Sequence, residues 1–126
     1  MGLTLTLRKK RKVNGGRYSK AEPSKRTYNG VVYQSIWEME YAKKLDYLLK
    51  AGEIKSWNRQ VPFPIIVNDQ KVTTYICDFE VINHDGSKRY IDPKSSPKIV
   101  DEVFKLKAKL VKAIYGVEIE VVYQKP

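Results

Sequence analysis

The sequence predicts a small α/β domain in which a helix, three strands, a second helix and a last strand build one mixed central sheet. Three observations predict it. Residues 36–51 and 99–115 repeat apolar side chains at helical spacing. Residues 73–82 and 87–94 are rich in β-branched and aromatic side chains on either side of a His84-Asp85-Gly86 turn. Residues 117–123 return to a strand pattern after Gly116. A chain of 126 residues suits one compact domain.

Each element has its own signals. In the first helix Trp37, Tyr41, Leu45, Leu48 and Leu49 fall on one face. Ser35 is a good N-cap, Glu38 three residues on completes a capping-box pattern, and Gly52 follows as a stop. Residues 61–67 are apolar but hold Pro62 and Pro64, which fits an edge strand. Asn68-Asp69 reads as a turn. In the strand over 73–82, alternation puts Tyr75, Cys77, Phe79 and Val81 on one face and Ile76, Asp78, Glu80 and Ile82 on the other. In the next strand Tyr90, Asp92 and Lys94 share a face. In the second helix Val103, Leu106, Leu110 and Ile114 form the apolar stripe, opposite Lys105, Lys109 and Lys112. Leu3, Leu5 and Leu7 alternate with threonines, as in a short strand.

Net charge is +10, and it is unevenly placed. Residues 1–30 hold nine bases and one acid, Glu22; the other 96 hold fifteen bases and thirteen acids. Residues 1–28 are therefore expected to form a basic, mobile arm, with the folded domain over 29–126. Arg8, Lys9, Lys10, Arg11, Lys12 and Arg17 suit a polyanion, with nucleic acid as the first candidate and a solvated tail as the plain alternative. The run from Arg8 to Val13 is also a weak match to a nuclear import signal. A single cysteine, Cys77, excludes an intrachain disulfide framework and points to an intracellular protein with Cys77 in its core. The lone histidine, His84, sits in a turn, which excludes histidine-based nuclease motifs and zinc clusters. No glycine-rich phosphate loop or Ser/His/Asp set is present.

The chemistry concentrates on the hairpin. A three-residue loop with Gly86 left-handed pairs Asn83 with Ser87, and counting back sets Asp78 opposite Asp92. Opposed residues have Cβ atoms roughly 4.5–5.5 Å apart, so the two carboxylates repel unless a divalent cation such as Mg²⁺ lies between them. Lys94 shares the Asp92 face. Acids that hold a metal, with a lysine beside them, suit phosphodiester hydrolysis: the metal polarises the phosphate and activates water, and the lysine orients that water or offsets developing charge. An ordinary surface hairpin with Asp92 paired to Lys94 is the plain alternative. On the first helix, at about 100° per residue, Glu38 lies about 50° from the centre of the apolar face and Glu40 about 110°. Glu38 either serves only as the capping partner of Ser35 or reaches the site. Lys105 and Lys109 suit phosphate contacts or plain solvation. Lys107, about 50° from the apolar stripe of its helix, either snorkels or points to the site.

These residues resemble the PD-(D/E)xK nuclease superfamily, and within it a phage-encoded family of small proteins related to Holliday-junction resolvases. The resemblance covers about residues 14–123. It runs through Asn29-Gly30-Val31-Val32-Tyr33-Gln34-Ser35 to Glu38, Leu48-Leu49-Lys50-Ala51-Gly52-Glu53-Ile54, and Arg59-Gln60-Val61-Pro62-Phe63. It continues through Cys77-Asp78-Phe79, Tyr90-Ile91-Asp92-Pro93-Lys94 and Phe104-Lys105-Leu106-Lys107 to Tyr115-Gly116. It implies a restriction-endonuclease-like core, with Glu38 as the helix acid, Asp78 as the first motif acid, and Asp92 and Lys94 as the (D/E)xK. It implies that Asp78, Asp92, Glu38 and the Pro93 carbonyl hold Mg²⁺, with Mn²⁺ as a substitute, and that Gln60 stands near the site. It also implies work in the cytoplasm, of the host cell for a phage protein. Two departures stand out. Pro93 falls where a central strand is expected, so the strand should end or become irregular there. Ser95-Ser96-Pro97 replaces the glycine that usually follows the lysine.

The expected activity is a metal-dependent endonuclease on duplex or branched DNA. Resolution of a junction would favour a two-fold homodimer, because two symmetric strands are cut. The rivals are a nonspecific nuclease on single-stranded and double-stranded DNA and RNA, and a catalytically silent DNA-binding module.

Overall fold

The computed structural model describes residues 20–124. The arm residues Arg8, Lys9, Lys10, Arg11, Lys12 and Arg17, and the Leu3–Leu7 alternation, lie outside them. The fold is α/β. A two-stranded hairpin, β1 (Thr27–Tyr28) and β2 (Val31–Val32), leads to α1 (Ile36–Lys50). Then come β3 (Ser56–Val67), β4 (Gln70–Ile82), β5 (Lys88–Lys94), α2 (Glu102–Tyr115) and β6 (Ile119–Tyr123). The main sheet has the order β3-β4-β5-β6, antiparallel except for the parallel β5–β6 pair. Among the described residues, no helix is long and apolar enough to cross a membrane.

Folding begins earlier than the expected boundary at residue 28. Asn29 and Gly30, at φ +51° and +78°, close β1 onto β2. An Asn-Gly pair between apolar residues is a strong two-residue hairpin signal, and here it joins Thr27–Tyr28 to the strand that follows. The Tyr28 hydroxyl then donates to Asp46 on α1.

The helix caps follow the sequence. The Ser35 hydroxyl accepts the Glu38 N–H at 3.0 Å. Asp101 accepts the Phe104 N–H at 2.7 Å, so α2 starts three residues later than the apolar spacing implied. Ile99, expected as its first residue, instead ends a separate 3-10 turn, Pro97–Ile99. Gly116, at φ +69°, ends the helix.

Two cores lie on opposite sides of the sheet. Met39, Tyr41, Ala42 and Leu45 of α1 pack with Phe79, Val81 and Ile91. Val111 of α2 packs with Phe63, Ile65, Tyr75 and Cys77, and Tyr90 and Phe104 join it. Ile91 and Tyr90 are neighbours on β5 and serve different cores, so the cores occupy opposite faces. Tyr75 and Cys77 nevertheless serve one core, while Phe79 and Val81 serve the other. The expected single face for these four residues is therefore wrong, because the alternation of β4 changes phase at Asp78. The change is shared with β3. Arg59 pairs with Phe79 and Val61 with Cys77, but neither Gln60 nor Asp78 is paired, and Gln60 has φ +55°. Such irregularities re-aim side chains and recur beside functional sites. Here one long hairpin is divided between two helices, and Asp78 stands at the point of division.

The stripe expected to pack on α2 is also displaced. Val103 and Leu106 are 61% and 58% exposed. Phe104, Lys107, Ala108 and Val111 face inward instead.

Candidate active site

The β4–β5 turn has the expected form. The Asn83 N–H donates to the Ser87 carbonyl at 2.9 Å, and Gly86 has φ +88°. The ladder then runs from Ile82↔Lys88 to Phe79↔Ile91. One further step in this register sets Asp78 opposite Asp92, at the point where the regular pairing stops.

Pro93 explains part of that stop. The expectation that β5 ends there is not met: β5 runs on to Lys94, and Pro93 pairs in register with Val122 of β6. The irregularity lies on the other side, where the pairing with β4 has already ended. A proline lacks the N–H that a ladder needs, and at this position no β4 partner requires it. The Trp37 indole donates to the Val122 carbonyl at 3.1 Å and ties α1 to the same end of the sheet.

Two clefts meet at Asp78 and Lys94. One, of about 370 Å³, opens toward α2 and is lined by Tyr75, Asp78, Asp92, Lys94, Phe104 and Lys107 among others. The other, of about 350 Å³, opens toward the start of α1 and is lined by Gln34, Ser35, Glu38, Asp78, Pro93, Lys94 and Ser95. The fold thus brings together Glu38, Asp78, Asp92, Pro93 and Lys94. Lys107 also lines the first cleft.

The other expected residues stand apart. Gln60 is exposed and lines neither cleft. Lys105 is paired with Glu102 on the same helix, and Lys109 is exposed.

Asp92 is 3% exposed and held from two sides. The Tyr75 hydroxyl donates to its Oδ2 at 2.6 Å. Lys94 Nζ lies 3.2 Å from its Oδ1, close enough for an ion pair but without hydrogen-bond geometry. Lys94 is itself steered by Phe104, with Nζ 4.5 Å from the ring centre. Burial raises the Asp78 carboxyl above the usual carboxylate range, as do Asp92 and Glu38, while Lys94 opposes the shift. Burial likewise raises Glu38, opposed first by Arg59. Glu38 Oε1 and Asp92 Oδ1 are both buried without a hydrogen-bond partner. The Tyr75 hydroxyl is raised by its own burial and by Asp92, so it stays a donor.

Tyr75, Phe104, Asp101 and Arg59 were not picked out in the sequence. Tyr75 and Phe104 look like core residues there, and each does both jobs. Asp101 carries the cap signal that reveals it.

Asp78 and Asp92 are the pair that could hold a cation, with Glu38 across the second cleft. Among the described residues, no three His, Cys, Asp or Glu side chains form a ready ligand set. Comparison with protein-family models, with curated proteins and with solved structures returns no match. Function has to be read from the residues themselves.

Proposed function

We propose that this protein is a metal-dependent endonuclease of the PD-(D/E)xK type that hydrolyses DNA phosphodiester bonds. The observation that carries the reading is the register of β4 on β5. The ladder ends at Phe79↔Ile91, one residue short of Asp78 and Asp92, and both acids line one cleft with Lys94, whose Nζ is 3.2 Å from Asp92. The residues fit a divalent cation. Two buried carboxylate oxygens lack donors, and burial, followed by the charges of Asp92 and Glu38, raises the Asp78 carboxyl above the usual carboxylate range. Asp78 and Asp92 would hold Mg²⁺, with the Pro93 carbonyl and Glu38 completing the set and Mn²⁺ able to substitute. When bound, the ion would neutralise the two acids and polarise the phosphate.

The chain's own groups do the rest. Tyr75 orients Asp92 through Oδ2. Lys94 presents an ammonium to charge that develops on the phosphate, and Phe104 limits where that ammonium can go. Lys107 adds a second cation to the α2 side, suited to a backbone phosphate. Glu38 bounds the opposite side, where a water can be oriented.

The test is cleavage of four-way junction, duplex, single-stranded DNA and RNA in Mg²⁺, Mn²⁺ and EDTA. Metal-dependent cutting that Asp78→Ala abolishes is the expected result, and activity unchanged by Asp78→Ala and Lys94→Ala would refute the site. Preference for the junction would mark a resolvase, with a homodimer in sedimentation. Equal cutting of all four would mark the nonspecific nuclease. A second reading is a DNA-binding module without cleavage. Binding without cutting in any metal would establish it.

A further inference from the structure

A separate cavity of about 290 Å³ lies between the β1–β2 turn, α1 and the start of β3. Its walls include Tyr28, Asn29, Asp46, Trp57 and Arg59. The Asp46 carboxylate is already engaged. It accepts the Tyr28 hydroxyl at 2.6 Å and the Trp57 indole N–H at 2.9 Å. Those bonds hold two aromatic rings against the cavity.

Arg59 is the opposite case. Its guanidinium lies over the Tyr33 ring, 4.9 Å from the centre. Its Nε is buried without a hydrogen-bond partner, and among the described residues it makes no ion pair. A buried donor left unmatched is costly, and Arg59 is also one of the residues that line the cavity. The cavity thus combines aromatic walls, Asn29 and one planar cation.

We infer that this cavity binds a single unstacked nucleotide, its base against Tyr28 and Trp57 and its phosphate on Arg59. Aromatic faces take bases of any sequence, and a guanidinium matches phosphate in shape as well as charge. The volume suits one extruded nucleotide and excludes a duplex. Arg59 also links the cavity to the candidate active site, because it is the first influence opposing the burial of Glu38. That the bound nucleotide belongs to the strand being cut rests on the nuclease reading; binding itself does not.

The experiment uses the full chain in EDTA, where no metal-dependent cleavage can occur. Adenosine 5′-monophosphate, adenosine and inorganic phosphate are titrated separately, followed by calorimetry and by tryptophan fluorescence in a Trp37→Phe background that leaves Trp57 as the reporter. The monophosphate should bind saturably and quench Trp57, at least tenfold more tightly than adenosine or phosphate. Arg59→Gln should weaken the monophosphate at least tenfold and leave adenosine unchanged. Asn29→Gly provides a second variant whose φ of +51° suits glycine; it should weaken both adenosine ligands if Arg59→Gln fails to fold.

Absence of saturable binding would overturn the inference. So would equal affinity for phosphate alone, or binding that is lost in Asp78→Asn but unchanged in Arg59→Gln. Monophosphate binding in a protein that cuts nothing would remove the nuclease reading and keep the pocket. Cutting without monophosphate binding would do the reverse.

Discussion

The two clefts that meet at Asp78 and Lys94 differ in how their charge is balanced. On the α2 side Asp92 has Tyr75 on one oxygen and Lys94 near the other, and Lys107 lines the wall. On the α1 side Glu38 is buried with one oxygen unmatched and, among the described residues, no ion pair within 4 Å. On the first side Asp92 has a donor on Oδ2 and an ammonium beside Oδ1, although Oδ1 lacks a hydrogen bond. On the second, burial of Glu38 is opposed by Arg59 and a backbone bond from Gln34 yet still raises its carboxyl. Buried polar groups are normally satisfied, so the imbalance says where an added ligand would gain most.

Four measurements would break or sharpen this contrast. Asp78 belongs to both clefts, so Asp78→Asn should reduce cleavage most, by about 10³-fold or more, with the fold retained. Lys94→Met should follow, with a loss of about 10²–10³-fold in kcat and little change in substrate binding. An unchanged kcat would mean that the ammonium only neutralises Asp92. Glu38→Gln should cost less, about 10–100-fold in apparent metal affinity. It should also raise the thermal stability of the metal-free protein by removing a buried charge; a fall in Tm would mean that Glu38 has a partner within the fold.

The smallest effect concerns pH. Asp78 has its folded pKa pushed up to about 8 from an ordinary 3.8, so the proton it keeps stabilises the folded chain. That contribution is complete below the unfolded value and is lost as pH rises through about 8. In EDTA, Tm should therefore decline between about pH 4 and 8. Saturating Mg²⁺ should offset the decline, because it binds the deprotonated pair. A Tm that rises with pH in EDTA would contradict the charge balance described for Asp78.

Legibility differed between the helices for a physical reason. In α1 the apolar stripe, the Ser35 cap and the burial agree: Tyr41 and Leu45 are core residues, and Glu38 lies inward as its angle implied. In α2 the stripe of Val103, Leu106, Leu110 and Ile114 was equally regular, yet Val103 and Leu106 are exposed while Lys107 turns in. Periodicity defines a stripe, but the neighbours decide which side packs. On α2, Phe104 lies beside Tyr75 and Lys94, and Val111 enters the core with Phe63 and Cys77.

By itself the sequence determined the order of the core elements, the Ser35 cap, the hairpin turn and the nearness of Asp78 to Asp92. All of these follow from interactions within a few residues or from counting outward from a turn. Only the tertiary structure decided the phase change at Asp78, the engagement of Asp92 by Tyr75, the separation of Gln60 from both clefts and the continuation of β5 through Pro93. Each depends on which surface a distant element presents. β4 breaks phase at Asp78, so Tyr75 and Cys77 meet the core under α2 while Phe79 and Val81 meet the core under α1, and only the packing of those distant helices reveals the break.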